Sequence, residues 1–208
     1  MPVSAVKHYS IISGTGRAGT TLLVRVLGKA GLDIGFDPAA LAVDPMAHAG
    51  LELDLRHKPS AYIVKSPWIA TYIDQVLSRD DIAIDHAIIC IRGLYEAAES
   101  RRRIQEINQT AAAVPGGLWE TSSPEKQEGV LAELFYRLIF HLTEHDIPLT
   151  FLHFPRYARD PTYFVKKMSS VFGEIDPGRL ESALRSEVQP ELITNFARRD
   201  SSLVQTVK

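Results

Sequence analysis

The chain has 208 residues, of which 23 are basic and 25 are acidic, for a formal net charge of -2. This length predicts a single domain over residues 1–208, with a polar, flexible tail at about 198–208. The 45% hydrophobic share argues against a disordered chain. The balanced charge argues against a general nucleic-acid binder, so we expect no nucleic-acid partner.

Cysteine and apolar content bear on the cellular compartment. The only cysteine, Cys90, lies in an apolar run at 86–91, which predicts a buried, unreactive thiol and excludes an intramolecular disulfide. Residues 1–13 lack the long apolar core and cleavage site of a signal peptide. No run approaches the roughly 18 apolar residues of a membrane span. We therefore expect a cytoplasmic protein with no membrane partner.

Short apolar runs typical of strands alternate with helical patterns along the chain. Strands are predicted over residues 9–13, 61–64, 86–91 and 149–154. Helices are predicted over 20–30, 68–77, 94–107, 124–145 and 160–172, and from 177 onward. Gly31 is the predicted stop of the first helix and Ser123 the predicted N-cap of the fourth. The alternation predicts an α/β fold with three α/β/α layers around a central, mainly parallel sheet.

The strongest local signal is the glycine-rich segment at 13–23, SGTGRAGTTLL, which follows the first predicted strand and opens the first helix. In that context backbone N–H groups and a helix N-terminus form an anion-binding site. Arg17 adds a cation, and two threonines add hydroxyl donors. The candidate binding residues of the loop are Gly14, Gly16, Arg17, Ala18, Gly19, Thr20 and Thr21.

Two standard nucleotide motifs match this loop only in part. Gly14 and Gly19 have the spacing of a Walker A loop, but Thr20 stands where that motif has lysine. The same glycines, with Gly16, match the spacing of a dinucleotide-binding motif, yet the acidic residue that should follow is not clear. A glycine-rich turn without a ligand is the alternative.

The segment GTGRAGTTLL resembles the 5′-phosphosulfate loop of sulfotransferases that use 3′-phosphoadenosine 5′-phosphosulfate (PAPS). The segment YIVKSP at 62–67 is similar to the Lys-x-Pro element of that family, which ends a strand. Arg92, followed eight residues later by Ser100, is similar to the pair that binds the 3′-phosphate. A looser likeness is FPRY with Asp-Pro at 154–161. The resemblance covers about residues 8–172.

This resemblance implies a P-loop NTPase-like topology and a sulfotransferase that moves a sulfuryl group from PAPS to a hydroxyl or amine of a small-molecule acceptor. It implies that no metal is required. Arg92 and Ser100 join the loop as expected PAPS-binding residues. Lys65 and Arg17 are the expected catalytic residues, at the transferring group and at the leaving phosphate.

The general base is not carried over from the family. Animal members have a histidine two residues after the strand-end lysine, and this chain has Pro67 there. The long loop after the first helix offers Asp37, Asp44, His48, Glu52 and His57. We take His48 as the candidate catalytic base, because imidazole titrates at about pH 6.5.

Two departures concern the nucleotide itself. The C-terminal Arg-Lys-Gly phosphate motif of animal members is missing. Leu22 stands where those members stack a tryptophan on adenine. The base-binding side of the pocket therefore stays unassigned.

Each of these residues also has a structural interpretation. Lys65 could be a solvated lysine, and Arg92 could pair with Glu96 or Glu99 on the following helix. At least two of the three arginines at 101–103 are expected on a solvated helix face, because consecutive helical residues point in different directions. The segment 114–119 is either a lid over the acceptor or a surface turn anchored by Trp119.

Two other functions compete with the sulfotransferase. One is a P-loop kinase or nucleotide hydrolase with a degenerate Walker A loop. The other is a non-catalytic nucleotide-binding module. The sequence does not fix the oligomeric state, and a homodimer is compatible with it.

Overall fold

The computed structural model describes residues 5–41, 43–44, 49–108, 114–194 and 196, and the predicted tail at 198–208 lies outside them. Four parallel strands form one sheet in the order β2-β1-β3-β4. The strands are β1 (Lys7–Gly14), β2 (Ile63–Lys65), β3 (Ile82–Ile91) and β4 (Leu149–His153). The helices are α1 (Thr20–Lys29), α2 (Ile73–Leu77), α3 (Leu94–Asn108), α4 (Gln127–Glu144), α5 (Arg156–Arg159), α6 (Pro161–Ser169) and α7 (Pro177–Glu187).

Helices cover both faces of the sheet, because alternate residues of each buried strand point to opposite sides. On one face, Ile12 and Ile88 pack into a core that contains residues of α1, α6 and α7. On the other face, Ile11 and Ile89 pack into a core with residues of α2 and α4. The predicted three-layer α/β architecture with a central parallel sheet is confirmed.

The strand order places a crevice at the carboxyl ends of β1 and β3. In the strand order, β2 lies beside β1 toward one edge of the sheet, and β4 lies beside β3 toward the opposite edge. In open parallel sheets ligands bind where the strand order reverses in this way. Gly14 ends β1 beside Cys90 of β3, and Lys65 ends β2 beside Ile12. The glycine loop, Lys65 and Arg92 therefore emerge at one edge of the sheet.

Several element boundaries differ from the prediction. The predicted helix at 68–77 is wrong as a continuous element: a 3-10 turn at Ile69–Thr71 precedes the short α2. The break falls at Tyr72, whose buried hydroxyl shares a 2.6 Å hydrogen bond with Ser66 Oγ. Ser123 occupies the N-cap position of a 3-10 turn at Pro124–Lys126 that precedes α4, but its side chain makes no capping bond.

Other boundaries follow the sequence signals closely. Gly31 ends α1 with φ 94°, a conformation that glycine adopts readily. The side chain of Asp160 accepts from the Tyr163 amide at 2.9 Å and caps α6. β3 begins at Ile82, four residues before the predicted start, because its first half is only half-buried and carries charge that conceals the strand pattern.

Two glycine-to-alanine substitutions test the role of Gly14 in this architecture. Gly14 has φ 147°, and an added Cβ would overlap the carbonyl oxygen of Cys90 in the neighbouring strand. We expect Gly14→Ala to lower the free energy of unfolding by about 3 kcal/mol or more, because it adds both backbone strain and a backbone clash. Urea unfolding followed by circular dichroism measures the change.

The matched control is Gly129→Ala, in α4. A Cβ there meets no atom within 4 Å, so alanine should raise the free energy of unfolding by about 0.5–1 kcal/mol through its higher helix propensity. Equal effects of the two substitutions would contradict the close approach of the loop to β3.

Candidate active site

A cavity of about 770 Å³ opens at the carboxyl edge of the sheet. Its volume lies within the roughly 300–1,000 Å³ that is usual for ligand pockets. The residues that line it come from the glycine loop and α1, the loop at 43–52, the strand ends, α3, the segment at 115–116 and the C-terminal stretch. They are Gly16, Arg17, Gly19, Thr20, Thr21, Leu22, Arg25, Val43, Asp44, Ala49, Gly50, Glu52, Lys65, Pro67, Trp68, Arg92, Ser100, Arg101, Pro115, Gly116, Phe154, Glu187, Gln189, Leu192, Ile193 and Thr194.

The glycine loop has an unusual backbone, with positive φ at Gly14, Gly16, Arg17 and Gly19. Arg17 is the non-glycine member, with φ 51°. A left-handed conformation at such a residue costs about 1–2 kcal/mol. Residues held in this way cluster at ligand sites. The loop therefore places the Arg17 side chain at a cost in backbone energy.

Tyr157 fixes the end of the loop from below. It is fully buried, and its hydroxyl donates to the Gly19 carbonyl oxygen at 2.6 Å. Burial raises the pKa of Tyr157 well above its usual range, so the phenol remains a neutral donor. Tyr157 and Phe154, whose rings lie 5.8 Å apart, pack against the position that a Cβ of Gly19 would fill.

Three arginines converge around this loop. Arg17 Nε donates to Ser100 Oγ at 3.0 Å. Arg92 Nη1 donates to the Arg17 carbonyl oxygen at 3.0 Å, and its Nη2 donates to the Thr194 carbonyl oxygen. Arg101, on α3, lies against Gly16. Arg92, which follows β3, and Ser100, which lies in α3, thus both bond Arg17.

The guanidinium groups of Arg17, Arg92 and Arg101 lie close enough together to affect one another, and burial lowers the pKa of each. Desolvation, with a smaller contribution from Arg92, lowers the pKa of Arg17 to about 10. Desolvation, with a smaller contribution from Arg17, lowers the pKa of Arg101 to about 10. Desolvation also lowers the pKa of Arg92, against a partial opposing effect of Glu96. Within the described residues no carboxylate forms a salt bridge with Arg92 or Arg101.

Lys65 occupies the opposite side of the cavity floor and is only 2% exposed. Its Nζ donates to Thr21 Oγ1 at 2.8 Å, to the Gly50 carbonyl oxygen at 2.6 Å and to Glu52 Oε1 at 2.6 Å. Desolvation lowers the pKa of Lys65, and Glu52 partly opposes that shift. The interpretation of Lys65 as a solvated surface lysine is therefore wrong.

Glu52 is the acidic residue that the fold brings to Lys65. Its side chain is 18% exposed and lines the cavity. Oε1 accepts from Lys65 and from the Gly50 amide, whereas Oε2 makes no hydrogen bond to any described residue. Glu52 therefore offers one carboxylate oxygen for other contacts beside a buried ammonium group.

The structure brings most of the predicted site residues together. The cavity is lined by Gly16, Arg17, Gly19, Thr20, Thr21, Lys65, Arg92 and Ser100. Gly14 and Ala18 are buried and do not line it. Of the five candidate bases, Asp44 and Glu52 line the cavity. Asp37 and His57 are exposed and do not line it, and His48 lies outside the described residues.

Cys90 lies beneath the site. It is fully buried, as its apolar run predicts, and burial raises the pKa of its thiol to about 12. The thiol is therefore not a nucleophile at neutral pH.

Sequence reasoning missed Arg101. It belongs to a run of three arginines. Arg103 is exposed, as predicted for a solvated face, but the Arg102 side chain is only 16% exposed and pairs with Glu99, and Arg101 is buried. The solvated face therefore holds Arg103 rather than at least two of the three. The helical spacing indicated the burial of Arg101, because it lies three residues before Ile104 and four after Ala97, and both of these are buried.

The segment at 114–119 is anchored to the core, as one of its two interpretations predicts, and the lid stays a prediction. Trp119 packs against the small core of Ala97, Ala98 and Leu131, and the buried Gln127 bonds both its amide and its carbonyl group. This is the predicted anchor. Pro115 and Gly116, a few residues earlier, nevertheless line the cavity.

No protein-family model and no curated protein matches the chain. Among solved structures, the sulfotransferase domain from the Synechococcus PCC 7002 olefin synthase matches with a TM-score of 0.52. The two are 15% identical, and the match covers 93% of this chain and 82% of that domain. The chain has a sulfotransferase fold. This agrees with the family that the glycine loop, the Lys-x-Pro element and the Arg92–Ser100 pair resemble.

The described residues show neither a membrane-spanning helix nor a cluster of metal ligands. No helix there has the length and apolar content needed to cross a membrane. No group of three or more histidine, cysteine, aspartate or glutamate side chains there could hold a metal ion.

Removing the Tyr157 hydroxyl tests how the loop is held. We expect Tyr157→Phe to lower the free energy of unfolding by about 1 kcal/mol, because the bond to the Gly19 carbonyl is lost in a buried setting. Tyr136→Phe is the control, since Tyr136 is 70% exposed and should change stability by less than about 0.5 kcal/mol. Denaturant unfolding of both variants checks this, and equal stabilities would contradict the assigned hydrogen bond.

Proposed function

We propose that this protein is a PAPS-dependent sulfotransferase that acts on a hydroxyl or amine of a small-molecule acceptor. One observation carries the proposal: Arg17, Arg92 and Arg101 crowd around a glycine loop at the crevice of the sheet. Arg92 and Arg101 are buried and form no salt bridge with a carboxylate among the described residues. Burying cations in this way is costly, so the cluster favours a ligand with more than one anionic group. A bisphosphorylated nucleotide has that character.

The residues present fit this donor. The buried Nε atoms of Arg92 and Arg101 have no hydrogen-bond partner among the described residues, so the protein alone does not satisfy the cluster. We assign the 5′-phosphosulfate end to Arg17, Thr20, Thr21 and the loop amides at Gly16 and Gly19. We assign the 3′-phosphate to Arg92 and Ser100. The resemblance to the family supports both assignments.

The donor supplies a sulfuryl group attached to a phosphate leaving group. Catalysis then depends mainly on positioning and on stabilising charge, as in phosphoryl transfer. Arg17 and the two threonine hydroxyls stabilise the charge that grows on the leaving phosphate. Lys65 lies between Thr21 and Glu52, where its ammonium group can stabilise charge on the sulfuryl oxygens.

We propose Glu52 as the general base. It belongs to the loop that supplied our sequence candidates, it lines the cavity and it touches Lys65. Its Oε2 is placed to take the proton of the acceptor hydroxyl or amine as the new bond to sulfur forms. His48, the candidate from the sequence, is the alternative that the experiment below distinguishes.

The crevice is a poor match to a P-loop kinase. Such enzymes hold Mg²⁺ with a loop hydroxyl and an aspartate near a strand end. Here Thr20 takes the place of the Walker lysine, and the strand end at β3 leads into the buried cation Arg92. Positive charge at that point favours an anionic group of the nucleotide.

Nucleotide binding tests the donor assignment. We expect adenosine 3′,5′-bisphosphate to raise the melting temperature without Mg²⁺, and Arg92→Ala to weaken its binding by about 10–100-fold, because a charge-assisted hydrogen bond is lost. Isothermal titration calorimetry measures the dissociation constants. Arg185→Ala, on the exposed face of α7, is the control and should bind normally.

Three results would contradict parts of the proposal. Stabilisation by Mg-ATP but not by the bisphosphate would favour a kinase or hydrolase. Normal binding of the bisphosphate by Arg92→Ala would remove the 3′-phosphate assignment. Binding without release of the sulfuryl group to a broad panel of phenols, alcohols and amines would favour a non-catalytic module.

The general base is tested separately by turnover. We expect Glu52→Gln to lower kcat by about 10²–10⁴-fold, the usual contribution of general acid–base catalysis, and to leave the affinity for the bisphosphate within about twofold. Release of adenosine 3′,5′-bisphosphate from PAPS in the presence of the acceptor panel gives the rate.

Asp44→Asn and His48→Ala are the matched controls for this measurement. Both change residues of the same loop, and Asp44 also lines the cavity. A loss of turnover in His48→Ala with none in Glu52→Gln would move the base to His48.

A further inference from the structure

Arg101 is a buried cation that the assignments above leave without a role in catalysis or binding. It is 7% exposed, although the next two residues of α3 are also arginines and lie nearer the surface. It lines the cavity together with Ser100, its neighbour in sequence. An arginine in this position displaces water from its charge and gains no carboxylate in return within the described residues.

The contacts of Arg101 use only part of its hydrogen-bonding capacity. Nη1 donates to the Gly117 carbonyl oxygen at 2.8 Å, and the guanidinium carbon lies 5.1 Å from the centre of the Trp119 ring. Nη2 lies where a Cβ of Gly16 would be. Nε is buried without a hydrogen-bond partner. Gly117 and Trp119 thus hold one side of the group, and the other side faces the glycine loop.

The absent Cβ at Gly16 permits this close approach. With φ 70° and no side chain, Gly16 lets the guanidinium rest directly on the loop. Besides desolvation, the positive charge of Arg17 lowers the pKa of Arg101. Two cations on one anion-binding loop repel each other unless a shared anion lies between them.

We propose that Arg101 is a further donor-binding residue, whose guanidinium binds an anionic oxygen of the phosphosulfate group at the glycine loop. The inference rests on the proposed function and adds a residue to it. Both arginines touch the glycine loop, Arg101 at Gly16 and Arg92 at the Arg17 carbonyl oxygen. Arg92 also bonds Thr194 in the C-terminal stretch, whereas the other contacts of Arg101 are to Gly117 and Trp119. This difference is the reason to place the two arginines at different ends of the nucleotide.

Three ligands separate the two ends. Adenosine 5′-phosphosulfate carries the phosphosulfate group without a 3′-phosphate, 3′-AMP carries only the 3′-phosphate, and PAPS carries both. We expect Arg101→Gln to weaken binding of PAPS and of adenosine 5′-phosphosulfate by at least tenfold and to change binding of 3′-AMP by less than twofold. Titration calorimetry in low salt gives the dissociation constants.

Matched variants identify the role of Arg101. Arg102→Gln changes the adjacent arginine, which pairs with Glu99, and should leave all three affinities within twofold. Arg101→Lys keeps the charge without the planar fork and should lose threefold to tenfold for the two phosphosulfate ligands. If Arg101→Gln does not fold, the Arg101→Lys series carries the same test.

The outcomes separate this inference from the proposed function. If Arg101→Gln binds all three ligands as the wild type does, or loses 3′-AMP as strongly as adenosine 5′-phosphosulfate, the inference is wrong and the proposed function stands. A purely structural role would lower the melting temperature without ligand and leave the ligand-induced rise unchanged, which also overturns it. If wild-type protein binds none of the ligands, the proposed function itself fails.

Discussion

The site is organised by the cost of removing positive charge from water. Arg92, Arg101 and Lys65 are buried at one edge of the sheet, and Arg17 lies among them. Of these four groups, Lys65 has the close carboxylate partner Glu52. The free energy for this arrangement comes from the two apolar cores that hold the sheet and its helices together. The rigid fold keeps like charges at short range where a flexible loop would let them separate.

Parallel strands explain how residues distant in sequence reach this edge. β1, β2 and β3 end side by side, so the glycine loop, Lys65 and Arg92 meet although up to about 75 residues separate them. Chain direction then sets the chemistry. The backbone N–H groups at the start of α1 and the cations at the strand ends all face the same crevice, and this arrangement suits an anion.

Two buried cations connect the glycine loop with other walls of the cavity. Lys65 touches Thr21 of the loop and Glu52, the proposed base. Arg101 touches Gly16 of the loop and donates to the Gly117 carbonyl oxygen, next to the cavity wall at Pro115 and Gly116.

The strands, helices and turns of this protein are encoded mainly by local sequence patterns. The glycine loop between a strand and a helix, the strand-end positions of Lys65 and Arg92, and the alternation of strands and helices depend on short-range periodicity and turn chemistry, which neighbouring residues encode. The sulfotransferase fold followed from the resemblance of those elements and is confirmed by the structural match. Local patterns predicted one helix over 68–77, and that helix is broken at Tyr72. The hydroxyl of Tyr72 shares a hydrogen bond with Ser66, a tertiary contact that the local pattern does not contain.

The polar residues that lie side by side in the cavity depend on tertiary packing. Glu52 was one of five candidates in a long loop without periodicity, and its pairing with Lys65 depends on how that loop folds back over the strand end. Arg101 belongs to a run of three arginines of which at least two are expected on a solvated face, and that expectation does not say which one is buried. Its burial depends on the packing of Gly16, Gly117 and Trp119 around it. Burial and ion pairing are properties of the space between elements, and residues far apart in the chain define that space.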